Sequence, residues 1–435
     1  MNAETKIAAE LRADPRPRSA VSAMVGVAGL AGLLAWVIVA RTFEYSGPNA
    51  ALCAFLACGI PMLAWSILVD KVHRNPTTGI DWDSPPRPLR ETLDTSIVKI
   101  AGLWSTWAAI AFLYCVGRWY WDGIYLFSMK ILGYAAVPLL IASVPYVMWI
   151  DRRLRDPRDG AWHFGQLVIG RSGLVDREIV HDYLRCWAVK AFFLAFMIAI
   201  VPGNWYDTVT PTGEDITSNI ANLSRWLIAG MFMVDTVFAT VGYALTMKPL
   251  DAHIRSANPY AAGWMAALMC YPPFILMNPG GPLDYHPGTA DWLYWLEGYP
   301  LLIAFWAFLL VLLTGIYAWA TVVFGIRFSN LTHRGILTHG PYAWTKHPAS
   351  LSKNLFWWLG ALPFLAVSGS ATDAVRNTVM LGVVSGIYYW RSKTEERHLM
   401  ADPAYREYAE WMERNAPLPR LLRKLRRAPV AVPAD

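Results

Sequence analysis

The chain is 435 residues long, a length at which a soluble protein usually forms two or three domains. However, 55% of the residues are hydrophobic and only 16% are charged, which excludes an ordinary soluble protein and indicates a polytopic membrane protein. The net charge of +6 comes mostly from basic loops and a basic tail, so we expect anionic lipid head groups as partners and no nucleic acid.

Ten mostly apolar runs have roughly the 18 residues that a helix needs to cross about 30 Å of hydrocarbon. They lie near residues 19–40, 51–69, 97–117, 131–150, 186–202, 226–247, 260–278, 299–324, 353–368 and 376–390. The sequence therefore predicts an all-α fold, a polytopic bundle of about ten transmembrane helices.

Lysine and arginine alternate between rich and poor loops along these runs. Only five of the 38 basic residues fall on the side opposite the N-terminus, namely Arg41, Arg118, Lys130, Arg225 and Arg376. Because basic loops stay in the cytoplasm, we expect both termini to be cytoplasmic. The five cysteines lie in or beside apolar runs without metal-ligand spacing, so we predict no metal site.

Asp235 lies near the middle of an apolar run. A carboxylate at bilayer depth costs about 2.5 to 3.5 kcal/mol on insertion scales. We therefore expect Asp235 to face the bundle interior or a polar cavity. A neighbouring hydroxyl, from Tyr243 or Thr236, is the simpler explanation, and a functional role is the alternative.

The paired prolines Pro272 and Pro273 interrupt the seventh run. They remove backbone donors and bend a helix, which a membrane tolerates only where the freed carbonyls meet protein or water. The sequence predicts a structural kink here, with a substrate cavity as the alternative.

A polar, turn-rich segment at residues 338–348, the first cluster, separates two apolar runs on the predicted cytoplasmic side. Tyr342 and Trp344 offer flat aromatic faces, and Lys346 and His347 can donate to a carboxylate or a ribose oxygen. Each side chain also has a structural explanation, such as an aromatic belt or a basic cytoplasmic loop.

The second cluster, residues 391–398, follows the last apolar run. Helical spacing places Arg391, Glu395 and His398 within about 40° of one another on one face. A simple Arg–Glu pair at this spacing contributes only about 0.3 to 0.5 kcal/mol. A guanidinium fork beside carboxylates is better suited to a zwitterionic or carboxylate-bearing ligand.

Beyond Pro403, one stripe of a predicted helix carries Tyr405, Tyr408, Trp411 and Met412. We expect this stripe to pack on the protein or on the membrane surface. Residues 416–435 then form a basic amphipathic tail that we expect to bind anionic lipids.

Together these residues resemble a known module. Its parts are Gly340-Pro341-Tyr342, Lys346-His347-Pro348, a membrane hairpin, Arg391, Thr394-Glu395-Glu396, and the later Tyr405 and Tyr408. In this order they look like the C-terminal module of the isoprenylcysteine carboxyl methyltransferase and phospholipid methyltransferase superfamily. The likeness covers roughly residues 325–415.

The resemblance implies S-adenosylmethionine bound from the cytoplasmic side and a lipid or lipidated acceptor reaching it from the bilayer. It implies a division into an N-terminal bundle at residues 1–295 that shapes substrate access, a cofactor-binding module at 296–415, and the tail. The predicted catalytic residues are Arg391 and Glu395. The predicted cofactor-binding residues are Thr338, Gly340, Tyr342, Lys346, His347, Pro348, Glu395, Glu396 and His398.

The chain departs from the family pattern at Lys346, where the family often has arginine, and at Ser350, where the family often has tyrosine. A further departure is the polarity that Lys353 and Asn354 add at the start of the next run. Its ten predicted spans also resemble integral sterol reductases, which bind NADPH. A reductase of a sterol-like or polyprenyl lipid is therefore one alternative, and a non-catalytic ligand sensor is another.

Overall fold

The computed structural model describes residues 16–417 and Arg420, and its regular secondary structure is almost entirely helical. The helices are α1 Ala23–Thr42, α2 Pro48–Ala64, α3 Leu89–Gly117, α4 Leu126–Asp151, α5 Gly160–Val168, α6 Arg177–Val209, α7 Gly213–Thr217, α8 Ile220–Ala244, α9 Ala261–Leu268, α10 Trp292–Trp295, α11 Pro300–Phe324, α12 Pro348–Ala361, α13 Ala371–Leu399 and α14 Pro403–Asn415. Strands β1 (Ser256–Ala257) and β2 (Thr332–His333) pair antiparallel. Nearly all of the predicted basic tail lies outside the described residues.

Seven helices in the described part of the chain are long and apolar enough to cross a membrane. They are Ala23–Thr42, Pro48–Val69, Leu89–Gly117, Gly123–Asp151, Arg177–Val209, Ile220–Ala244 and Pro300–Arg327. Each overlaps one of the ten predicted runs, which confirms an all-α helical membrane fold. The count of ten crossings stays a prediction.

The seventh predicted run, 260–278, is not a continuous helix, and that part of the prediction was wrong. The helix there covers only Ala261–Leu268. Pro272 and Pro273 cannot donate backbone hydrogen bonds, and Gly280 and Gly281 follow shortly after, so the chain beyond α9 runs through turns.

This broken segment nevertheless runs along α13. Near one end, Asn258 Nδ2 donates to Thr394 O over 3.3 Å, and near the other, Asn377 Nδ2 donates to Pro287 O over 2.7 Å. Their α13 partners are 17 positions apart in the sequence, which corresponds to about 25 Å of helix. One bond thus runs from a side chain of the irregular segment to the backbone of α13, and the other runs from a side chain of α13 to the backbone of the segment. Such bonds satisfy polar backbone groups, as a membrane environment requires.

The ninth run, 353–368, is also shorter as a helix than predicted. Helix α12 ends at Ala361, and Leu362 adopts a left-handed φ of 42°. Pro363 follows Leu362, and a residue before proline is disfavoured in the helical conformation. The tenth run lies inside α13, which has 29 residues but carries Asp373 and Arg376 in its first turns.

Arg334 joins the end of α8 to the loops around it. Its buried guanidinium donates to the carbonyls of Gly242, Leu245, Ala252, Ile326 and Phe328. Arg327 donates in turn to Arg334 O over 2.9 Å and to Asp251 Oδ2 over 2.8 Å. These bonds fix the backbone that leads into the first cluster, and they cross the predicted boundary at residue 295.

Candidate functional site

A cavity of about 160 Å³ lies where α11, α12, α13, α14 and the loop before α12 meet. Both sequence clusters contribute to its walls. The lining residues predicted from the sequence are Tyr342, Lys346, His347, Arg391 and Glu395, joined by Tyr405 and Tyr408 of the stripe on α14. The fold therefore gathers side chains separated by about sixty positions around one space.

His347 and Glu396 tie the two clusters together. His347 Nε2 lies 2.8 Å from Glu396 Oε1, and Lys393 Nζ donates to Glu396 Oε2 over 3.0 Å. Burial alone would raise the pKa of Glu396, but the hydrogen bonds from His347 and Lys393 and the nearby charge of Lys346 lower it to about 2. Glu396 is thus an ionised anchor behind the cavity wall.

Arg391 and Glu395 both face the cavity but do not pair with each other. Arg391 Nη2 donates to Asn330 Oδ1 over 2.5 Å, and its guanidinium lies over the rings of Tyr271 and Tyr388, at 5.7 and 5.9 Å. Within the described residues, no hydrogen bond or ion pair engages the Glu395 carboxylate. Glu395 therefore keeps its acceptor oxygens available to a ligand.

Tyrosines form another part of the wall. Tyr408 Oη donates to Tyr342 O over 2.7 Å, and the Tyr342 ring packs edge-on against Phe324 at 5.5 Å. The buried Tyr405 hydroxyl has no hydrogen-bond partner among residues 16–417. Because a buried hydroxyl without a partner is costly, Tyr405 is a second group that a ligand would satisfy.

Three predicted cofactor-binding residues support this wall without lining the cavity. Thr338 donates to Pro17 O over 2.8 Å, which ties the chain before α1 to the first cluster. Gly340 has a φ of 59° and lies so close to α11 that an added Cβ would be 2.8 Å from Val323. Pro348 is the first residue of α12.

His398 is also away from the cavity. Its Nε2 lies 2.9 Å from Ser256 Oγ of β1, and the side chain is buried there. His398 therefore fastens the end of α13 to the β1–β2 ribbon.

Asp235 is satisfied from α11, which corrects the partners proposed from the sequence. Its carboxylate accepts from Tyr317 Oη at 2.6 Å and from Thr321 Oγ1 at 2.5 Å. Thr236 donates instead to the carbonyl of Met233. Tyr317 and Thr321 are four residues apart on one helical face, a spacing that could have identified them as partners.

Tyr317 and Thr321 line the cavity, so the hydrogen bonds to Asp235 fix the positions of two lining side chains. Sequence reasoning missed Tyr317, Tyr271, Asn330 and Tyr388 as lining residues. Only Tyr271 had a signal, its position next to the paired prolines.

Lys353, noted above as a departure from the family pattern, also lines the cavity. Its ammonium lies over the rings of Tyr317, Trp357 and Tyr388, at 5.4, 5.2 and 6.0 Å. The cavity thus combines an unengaged carboxylate, five cationic side chains and several aromatic faces. Such a set can hold a ligand that carries both charges and a flat ring.

The fold is that of a helical membrane protein, with seven helices long and apolar enough to span a bilayer among the described residues and a polar cavity at the junction of its last helices. Comparison of the chain with protein-family models, curated proteins and solved structures found no match.

Proposed function

We propose that this protein is an S-adenosylmethionine-dependent methyltransferase that acts on a lipid or lipidated acceptor. One observation carries the proposal. A single cavity is lined by Tyr342, Lys346 and His347, by Arg391 and Glu395, and by Tyr405 and Tyr408. These residues belong to the module that the sequence resembles. Helix packing alone does not require their side chains to line the same polar cavity.

The polar and aromatic groups that line the cavity suit this cofactor. The Glu395 carboxylate can accept hydrogen bonds from an ammonium or from ribose hydroxyls. Arg391 and Lys346 can hold a carboxylate, and His347 is held in place by Glu396 over 2.8 Å. The Tyr405 hydroxyl, buried without a partner, can bond a polar atom of the ligand. Phe324 and Tyr342 provide aromatic faces.

S-Adenosylmethionine, when bound, would supply a methyl group that transfers to an acceptor nucleophile as the methyl–sulfur bond breaks, with the sulfur leaving as the neutral thioether of S-adenosylhomocysteine. The protein needs only to align the acceptor with that methyl group and to exclude water. In this mechanism Arg391 and Glu395 orient the reactants, and Asp235 positions Tyr317 in the wall. The earlier helices shape the acceptor's path from the bilayer.

The predicted orientation supports this arrangement. The loop before α12 carries Arg327, Arg334 and Lys346, whereas few basic residues fall on the opposite side. Lysine and arginine are enriched in cytoplasmic loops. With about ten crossings, this rule predicts that both termini and this loop are cytoplasmic. A soluble cofactor could then reach the loop.

Transfer of a radiolabelled methyl group from S-adenosylmethionine into the lipid fraction of a membrane extract tests the proposal. We expect incorporation with the wild-type protein and a loss of at least about ten-fold with Glu395→Gln, because the carboxylate then loses its charge-assisted bonds. Glu407→Gln, an exposed substitution on α14, is the matched control and should retain activity. Absence of lipid methylation by folded wild-type protein across extracts would contradict the proposal.

A second candidate is an NADPH-dependent reductase of a sterol-like or polyprenyl lipid. The specific observation in its favour is that five cations line the cavity. Three of them, Lys346, Lys353 and Arg391, pair with no carboxylate in the described chain and could accommodate phosphates. Oxidation of NADPH in the same extracts, without methyl incorporation, would select this candidate. Binding of either cofactor without any turnover would select the ligand sensor.

A further inference from the structure

A second, larger cavity of about 760 Å³ lies beside the ends of α3, α4 and α6 and the loop at residues 246–255. It shares no lining residue with the cavity described above. All of the charged loops around it fall on the side predicted to be cytoplasmic. The proposed methyltransferase chemistry makes no use of this space.

Basic side chains outnumber acidic ones in its lining. The basic residues are Lys99, Arg158, Arg185, Lys190, Lys248 and Arg255, and the acidic residues are Asp159, Glu178 and Asp182. Two of the three carboxylates are already shared with cations. Asp159 Oδ2 lies 3.0 Å from Lys99 Nζ and 3.3 Å from Lys248 Nζ, and Asp182 pairs with Arg185 at 3.8 Å.

Among the other cations, Arg255 Nη2 lies 3.7 Å from Asp251 Oδ1, a carboxylate that also accepts from Arg327. Lys190 and Arg158 have no carboxylate partner in the described chain. Lys190 Nζ donates to Thr246 Oγ1 over 2.7 Å and lies 5.0 Å from the Trp187 ring. Arg158 lies over the Trp162 ring at 5.2 Å. A cavity with ammonium and guanidinium groups that lack carboxylate partners favours binding of an anionic ligand.

Several polar atoms at the cavity wall also have no hydrogen-bond partner in the described part of the chain. The nitrogens are Nε of Arg185, Nε of Arg255 and Nδ1 of His253, and one carboxylate oxygen, Oδ1 of Asp159, is also without a partner. Burial and the nearby charge of Lys248 lower the pKa of His253 to about 4, so its ring is neutral near pH 7 and can still donate through one nitrogen. Buried donors without partners are costly unless a ligand or water satisfies them.

Apolar side chains form the rest of the wall. Leu103, Val147 and Ile150 lie on the side of α3 and α4, and Ile179 and Trp187 lie on α6. Since α3, α4 and α6 are all membrane-spanning candidates, this apolar side adjoins the region that lipid chains would occupy. The cavity therefore combines a cationic end with an apolar side.

We propose that this cavity binds a phosphate-bearing ligand through Lys190, Arg255 and their neighbours. The phosphate would belong either to the head group of an anionic lipid, with its chains along α3 and α4, or to a soluble phosphate ester. Phosphate oxygens match the forked donors of arginine and the point charge of lysine. The site is independent of the proposed methyltransferase reaction.

Titration of the purified full-length protein in an uncharged detergent tests this proposal. Three probes are compared: dioctanoyl phosphatidylglycerol, dioctanoylglycerol with the same chains but no phosphate, and glycerol 3-phosphate with no chains. We expect saturable binding of at least one phosphate compound, weakened by added salt, and no binding of dioctanoylglycerol. Phosphatidylglycerol alone would identify a lipid head group, and comparable binding of glycerol 3-phosphate would identify a soluble ester.

Substitutions locate the site. Lys190→Met and Arg255→Gln should each weaken binding of the phosphate compound at least about five-fold, because each removes a cation from the phosphate. Arg171→Gln, an exposed substitution in a nearby loop outside the cavity lining, should leave it unchanged. If Lys190→Met does not fold, Arg255→Gln alone decides. Wild-type affinity in the folded cavity variants, equal binding of dioctanoylglycerol, or no saturable binding of either phosphate compound would overturn the proposal.

Discussion

Glu395 and Glu396 are neighbours in the sequence, yet their carboxylates have different surroundings. Successive residues on a helix point about 100° apart. Glu396 therefore turns to His347 and Lys393 and forms a closed ion-paired group, whereas Glu395 points into the cavity. One carboxylate holds the two clusters together, and the other is available to a ligand.

The helical spacing of Arg391, Glu395 and His398 predicted one shared face, but only the first two reach the cavity. His398 is one turn further along α13, where β1 covers the helix and Ser256 meets the imidazole. The sequence indicates the face correctly. It cannot indicate which part of the face a distant strand covers.

His398 should make stability depend on pH. Burial, together with the positive charges of His333 and Arg185, lowers the pKa of His398 from 6.5 to about 4. The unfolded chain therefore binds this proton at a higher pH than the folded chain does. The stabilising contribution is complete above pH 6.5 and is lost as the pH falls towards about 4. We expect a loss of up to about 2 kcal/mol in the free energy of unfolding.

Denaturant unfolding of the wild type and of His398→Asn at several pH values measures this contribution. The variant keeps a polar group beside Ser256 but does not titrate in this range. The two proteins should therefore differ more in stability near pH 7 than near pH 4. A constant difference across that range would show that His398 does not titrate as expected.

Among the elements, α3 and α5 approach each other through two glycines. A Cβ added at Gly102 would lie 2.2 Å from Ala161 O, and one added at Gly165 would lie 2.1 Å from Val98 O. Glycine permits this separation because it has no side chain, as at small-residue contacts between membrane helices. The contact brings the loop after α4, with Asp159, close to Lys99.

Gly165→Ala should therefore lower the free energy of unfolding by about 1 to 3 kcal/mol, because the added methyl group overpacks the contact. Gly133→Ala in α4 is the matched control, since nothing lies within 4 Å of its added Cβ. The control should be neutral or slightly stabilising, because alanine has the higher helix propensity. Thermal unfolding of both variants in detergent provides the measurement, and equal midpoints would rule out the close packing of α3 and α5.

The long apolar elements could be predicted from the sequence because burial in a membrane needs little more than length and hydrophobicity. Their interruptions were harder to predict. The paired prolines at 272 and 273 indicated a kink, but the hydrogen bonds that let the irregular segment follow α13 come from Asn258 and Asn377, far apart in the chain. Such non-local bonds have no signature in local hydrophobicity.

At the scale of the whole molecule, the distribution of basic residues predicts a cytoplasmic C-terminus and an external loop around α7. Reporter fusions test this orientation. A green fluorescent protein at the C-terminus should be fluorescent, and alkaline phosphatase inserted near Gly213 should be active. The reverse pattern would place the cavity on the wrong side for a cytoplasmic cofactor.

The candidate site was predictable only in part. The two clusters and the α14 tyrosines came from the sequence, because they are dense groups of polar and aromatic residues between apolar runs. Tyr317 and Asn330 were not predicted, since single polar residues in apolar or loop segments have no local pattern that assigns them to a cavity. Tyr271 was not predicted either, although it lies next to the paired prolines. Asp235 was conspicuous as a charge at membrane depth, yet its α11 partners emerged only from helix packing.

Calorimetric titration of the purified protein tests most directly whether the cavity binds S-adenosylmethionine. We expect saturable binding of S-adenosylmethionine that S-adenosylhomocysteine competes away. Glu395→Gln and His347→Ala should each weaken it about ten-fold or more, while Glu407→Gln should not. Tight binding of NADPH with no heat from S-adenosylmethionine, or wild-type affinity in both cavity variants, would contradict the proposed function and its site.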